Sequence, residues 1–138
     1  MGSLGRSVAT LRITGDDLVP EEISALLCAQ PTHGQRKGDV LALKSGATRI
    51  AKFGQWRLHA SDKEPEDVNR QIAELLGKLT QDLQIWRELG KRFRIDFFCG
   101  WFMTESNEGV SITATALHAL GERGIELDLD IYAPDTDA

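Results

Sequence analysis

The stretch FRIDFFCGWFMTESNEGVSITATALHALGERGIELDLDIY, from Phe93 to Tyr132, reads as strand, helix, strand. Phe93, Ile95 and Phe97 alternate with Arg94 and Asp96, while Ile125, Leu127, Leu129 and Ile131 alternate without a break with Glu126, Asp128, Asp130 and Tyr132. A period of two with one polar side predicts strands buried on one face only. The alternation slips at Phe97-Phe98, for which a bulge or close backbone approach at Gly100 is the expected cause. Between the strands, Ile112, Ala116, Leu117 and Leu120 fall at helical spacing. Ser111 as N-cap predicts a helix to about Arg123, with Gly124 as its left-handed end and Ile125 touching Leu120 in a Schellman-type ending. If the two strands are parallel, the helix is a right-handed crossover and buries its apolar side against the sheet.

Upstream segments read as elements that pack against this unit. Ala9, Leu11 and Ile13 alternate with Thr10, Arg12 and Thr14, a strand ending at Gly15. Pro20 suits the first position of a short helix with Glu21 and Glu22 near its positive end, while Ile23, Leu26 and Leu27 form its buried stripe. Val19 is a poor cap, so Asp16 or Asp17 is expected to serve the exposed amides. Residues 31–39 are a loop by composition, and Val40–Leu43 and Thr48–Ala51 form a hairpin turned at Ser45-Gly46. Trp56 and Leu58 mark another one-sided strand. From Pro65 onward, Val68, Ile72, Leu75, Leu76, Leu79, Leu83 and Trp86 keep the helical period as one helix or two, closed by Gly90. The predicted fold class is α+β: a two-layer sandwich of ferredoxin-like strand-helix-strand halves with a helical insertion.

A chain of 138 residues fits a single domain with a core of its own, the first seven residues reading as a disordered or tag-derived start. A net charge of −5 and pI near 5.2 disfavour generic attraction to nucleic acid or anionic membrane. The aromatics Trp56, Phe93 and Phe97 are expected to point inward and carboxylates outward, which argues against base stacking on the sheet. No apolar run approaches the roughly 18 residues of a membrane helix, and residues 1–10 lack the apolar centre expected of a signal peptide. Cys28 and Cys99 have apolar neighbours and no C-x-x-C spacing, so both are read as buried, reduced thiols of a cytoplasmic protein. Between His33 and Arg57, six cations (Arg36, Lys37, Lys44, Arg49, Lys52 and Arg57) stand against Asp39 alone. The bland reading is a solvated hairpin on an acidic body; the sharper one is an anion-binding or partner-docking edge.

Chemistry is narrowed mostly by exclusion. Neither a P-loop nor a dinucleotide fingerprint occurs, so no cofactor is implied. His33, His59 and His118 are scattered, and two distant cysteines make no zinc site, so no metal is implied. Nucleophile elbows are absent, and Cys99 beside Gly100 and Trp101 reads as a core cysteine. Glu126, Asp128 and Asp130, with His59 across the sheet, have the residue types for acid-base work, but acids at every second position of a terminal strand read first as its wet face. No catalytic residue is assigned. Candidate ligand- or partner-binding residues are Arg36, Lys37, Arg57, His59, Arg94, Asp96, Trp101, Asp128 and Asp130.

Several short blocks occur in a distinctive order: Thr14-Gly15-Asp16-Asp17, Pro20-Glu21-Glu22-Ile23-Ser24, Pro31-Thr32, Arg36-Lys37-Gly38, Gly54-x-Trp56, Phe98-Cys99-Gly100-Trp101-Phe102, and Leu127-Asp128-Leu129-Asp130-Ile131-Tyr132. Together they resemble the bacterial domain-of-unknown-function family 4279 over nearly the whole chain. The resemblance implies a small stand-alone bacterial protein and carries no catalytic residues with it. The expected function is a binding module acting by protein-protein contact, with immunity to a toxin as one version. The alternative is a small-molecule binder or enzyme with a pocket near Trp56, Cys99 and Trp101 that draws an anionic ligand to Arg36, Lys37 and Arg57. Self-association through the polar face of the sheet is compatible with either; nucleic-acid and membrane partners are not expected.

Overall fold

Ala9, Leu11 and Ile13 cannot leave water unless a second layer covers them, and the whole architecture answers that requirement. The computed structural model of the chain describes residues 2–3, 5–63 and 66–134. The elements, in order, are β1 (Gly2–Ser3), β2 (Arg6–Gly15), α1 (Pro20–Leu27), β3 (His33–Gln35), β4 (Val40–Ala42), β5 (Thr48–Ile50), β6 (Gly54–His59), α2 (Val68–Gly77), α3 (Leu83–Arg92), β7 (Arg94–Phe102), β8 (Glu108–Gly109), α4 (Ala114–Glu122) and β9 (Glu126–Tyr132). The main sheet has the order β3-β6-β2-β7-β9. Its first three pairings are antiparallel, and β7 and β9 are parallel across α4. This is the expected two-layer α+β sandwich, with α2 and α3 inserted between the strand-helix-strand halves.

One face of the sheet supplies Ala9, Leu11, Ile13, Trp56, Leu58, Ile95, Phe97, Cys99, Trp101 and Ile125 to a core completed by Ile23 and Leu27 of α1, Ile72 and Leu75 of α2, Trp86 and Leu89 of α3, and Leu120 of α4. Among the described residues no helix packs against the other face. Trp56 joins the layers with a polar bond as well, its indole N–H donating to Ser24 Oγ at 3.0 Å.

Helix boundaries follow local chemistry. α4 begins two residues later than Ser111 would place it, because Thr113 Oγ1 accepts from Ala116 N at 3.1 Å, while Asn69 of α2 bonds both Ser111 O and Thr113 N. Its end is a full Schellman closure: Ile125 N donates to Leu120 O and Gly124 N to Gly121 O, with Gly124 at φ +68°. The 65–90 region is two helices, each opened by an aspartate cap, Asp67 and Asp82. Pro65, the expected start, lies outside the described residues. Gly90 is interior to α3, which runs on to Arg92 with the extended Phe93 as its C-cap. α1 starts at Pro20 without a side-chain cap, Asp16 being engaged by Lys37.

Other expectations are corrected. The strand at Phe98 does not slip: β2 and β7 pair continuously from Arg6↔Phe102 to Thr14↔Arg94, so no bulge forms at Gly100. Cys28 is exposed at the left-handed end of α1, whereas Cys99 is buried. Residues 33–35, read as loop, form an edge strand on β6. Leu129 and Ile131 face the helical side of the edge strand β9 yet remain exposed. Of the first seven residues, Met1 and Leu4 lie outside the described residues; Gly2–Ser3 pair with Glu108–Gly109, and Ser7 is buried in β2.

Candidate functional site

The continuous register determines what the uncovered face presents. Across its centre run the rows His59-Thr10-Phe98-Asp128 and Arg57-Arg12-Asp96-Glu126. Arg94 and Asp130 lie on the same face, as do Gly100, Phe102 and Tyr132 at the far end of β7 and β9.

An ionic cluster occupies the middle. Arg12 grips Asp96 with two bonds, Nε to Oδ1 at 2.9 Å and Nη2 to Oδ2 at 2.5 Å, and its guanidinium lies 4.5 Å above the Phe98 ring. Arg94 spans Asp128 at 3.0 Å and Glu126 at 3.3 Å, and reaches Asp96 at 3.8 Å. Burial pushes the Asp96 carboxyl up, but its bonds to Arg12 and Asp128 and the Arg94 charge outweigh burial and hold it below the ordinary carboxylate value. Asp128 moves the other way, raised by its hydrogen bond with Asp96, by burial and by the neighbouring carboxylates. Asp96 thus carries the settled charge, and Asp128 is the partner that holds a proton more readily.

Beside this cluster is a concavity of about 300 Å³ lined by Val8, Thr10, Arg12, Arg57, His59, Phe98, Gly100, Phe102 and Tyr132. Phe102 and Tyr132 stack with centroids 4.7 Å apart and planes 8° apart, and Arg6 lies 4.1 Å over the Phe102 ring. Arg57 differs from Arg12 in having no carboxylate: its Nε is buried without a hydrogen-bond partner among the described residues. Burial and the charges of Arg12 and Arg49 lower its pKa.

His59 bonds Thr10 Oγ1 through Nδ1 at 2.5 Å. Burial holds its pKa below the ordinary 6.5, aided by Arg57 and opposed by Asp62. Between the folded and unfolded values the unfolded chain therefore binds more protons, so stability is complete above 6.5 and declines as the pH falls through that window. His59→Gln is expected to flatten this part of the profile; urea unfolding from about pH 7.5 to about pH 5 measures it.

The nine residues singled out from the sequence are thus distributed over separate places. Arg57 and His59 line the concavity, Arg94, Asp96 and Asp128 form the ionic cluster, and Asp130 accepts the Tyr132 hydroxyl at 2.6 Å. Arg36 and Lys37 lie elsewhere, paired with Glu21 and Asp16 at the start of α1. Trp101 is buried on the opposite face with Trp56 and Cys99, so the pocket expected around those three is filled by core packing. Burial pushes the Cys99 thiol up to about 12, away from nucleophilic reactivity.

Sequence reasoning missed Phe98, Phe102, Tyr132 and Gly100 as a group. Strict alternation continued from Ile95 would have placed all but Tyr132 on the Asp96 side. Among the described residues, no group of three or more His, Cys, Asp and Glu side chains is arranged to hold a metal ion. Among the described residues no helix is long and apolar enough to cross a membrane. No curated protein and no solved structure matches the chain. A family model matches residues 5–134, and on that extent the chain belongs to the family described as Domain of unknown function (DUF4279).

Proposed function

We propose that this domain is a non-enzymatic binding module that acts by protein-protein contact, with the β4-β5 hairpin as its docking element and a partner that offers an acidic surface. The observation that carries this reading is the hairpin's composition. Val40 and Ile50 are cross-strand partners on one face and are 65% and 58% exposed, with Leu43 and Phe53 also exposed. Lys44, Arg49 and Lys52 are exposed and lie next to these residues along the chain, Arg49 on the opposite face of β5, so the apolar patch belongs to a cationic segment. A two-stranded hairpin that buries so little of its own apolar surface gains most by being covered.

Charge supports an oriented encounter, because nearly all the carboxylates of the chain lie outside this segment. The exposed thiol of Cys28 suits a reducing cytoplasm. Immunity to a toxin is one concrete form of such a role.

The test compares wild-type protein and Val40→Asp/Ile50→Asp as matched baits. Exposed substitutions of this kind change stability by only about ±0.5 kcal/mol, so both baits remain folded. The expected result is a near-stoichiometric, salt-sensitive partner recovered by wild type alone. Identical recoveries from the two baits, or no stoichiometric partner, overturn the reading; light scattering identifies the case in which the partner is a second copy.

A further inference from the structure

We propose that the concavity on the uncovered sheet face binds a small planar ring carrying one oxyanion, with the ring over Gly100 among Phe98, Phe102 and Tyr132 and the oxyanion on Arg57. This inference is independent of the hairpin and its partner.

Arg57 supplies the first half of the argument. It sits between Arg12 and His33 in the cross-strand row, two residues from His59 on the same face. Arg12 is neutralised by Asp96, but Arg57 has no carboxylate among the described residues, and its enclosed Nε lacks an acceptor. A buried donor without an acceptor is costly, and a carboxylate or phosphate oxygen supplies what is missing in the fork geometry that a guanidinium matches.

Gly100 supplies the second half. Phe98 and Phe102 flank it on the same side of β7, Val8 is its partner on β2 and Asp130 its partner on β9, where the Tyr132 ring, its hydroxyl bonded to Asp130, stacks on Phe102 and walls that side. Gly100 is buried but contributes to the lining of the concavity with Phe98, Phe102 and Tyr132, so its missing side chain widens a notch with aromatic walls. A Cβ placed there would meet Phe102 at 3.6 Å and Tyr132 at 3.7 Å, ordinary contacts, so core packing does not demand glycine at this position. The carboxylates nearby, Asp128 and Asp130, lie along β9, whereas Arg57 and His59 lie on β6. That polarity orients the ligand, its ring toward β7 and its charge toward β6.

The experiment is an amide chemical-shift titration of the full chain with 2-naphthoate at low ionic strength. Naphthalene-2-carboxamide tests the ring without charge, cyclohexanecarboxylate the charge without a planar ring, and inorganic phosphate the oxyanion alone. Saturable shifts are expected at residues 8–12, 55–59 and 98–102, with each control at least about tenfold weaker. Arg57→Gln is expected to weaken 2-naphthoate about tenfold or more, and Gly100→Val to abolish its binding. Gly100→Ala, the smaller change, keeps the test informative if the valine variant does not fold. Absence of saturation up to about 10 mM, equal binding of the carboxamide, or unchanged affinity in Arg57→Gln or in a folded Gly100 variant overturns the proposal.

Discussion

Gln71→Leu is expected to lower the unfolding free energy by about 3 kcal/mol, although it puts an apolar side chain into a buried place. Gln71 is fully buried on α2. Its Nε2 donates to Ser7 O and Ser61 O, each at 2.9 Å, and its Oε1 accepts from Ser7 Oγ at 2.7 Å. Ser7 Oγ in turn accepts from Asp67 N at the start of the helix. One amide thus fastens α2 to the beginning of β2 and to the segment after β6. Leucine satisfies none of these groups, and buried polar atoms that lose their partners cost more than the gained apolar contact returns. Urea unfolding at neutral pH decides the matter: if Gln71 were only filling space, leucine would be neutral or stabilising.

Asp96→Ala should cost about 2–3 kcal/mol, since it removes the two-bond partner of Arg12 and leaves a guanidinium on a partly dry surface. Asp96 is only 3% exposed, but Arg12 retains enough access to water to recover part of its hydration. Arg12→Met/Asp96→Ala is therefore expected to regain some of the loss, because no charge is then left alone. The pH dependence carries the sign of the mechanism. The carboxyl of Asp96 is held below its ordinary value of 3.8 in the folded protein, so its contribution is present above that value and disappears as the pH falls through the folded pKa. The wild-type advantage over Asp96→Ala should shrink in that acid range in parallel urea titrations.

Much of the fold is legible along the chain, and the reasons are local. Ala9, Leu11 and Ile13, Trp56 and Leu58, and Ile95 and Phe97 alternate because each strand has one dry side, and all lie in the core. Pro20 opens α1 and Gly124 closes α4, as their fixed or permissive backbones require. Phe98 is the instructive error. Two adjacent aromatics read as a break in alternation, since burying both in one core would require one; instead Phe98 lies under Arg12 on the uncovered face, where a guanidinium rather than the core covers the ring. Leu129 and Ile131 show the converse. Their alternation is sound, but β9 is an edge strand and they stay exposed.

Periodicity, capping and turn chemistry act between residues a few positions apart, so strands, helix ends and the apolar side of each element follow from the order of amino acids alone. The uncovered face depends on partners much farther away: Arg12 meets Asp96 across 84 residues, and Gln71 meets Ser7 across 64. Which cation goes unpaired, which aromatics share a notch with Gly100, and which polar side chain is sealed inside all depend on strand order and register. Those are set by packing the assembled sheet against its helices, a many-body outcome that no local spacing encodes.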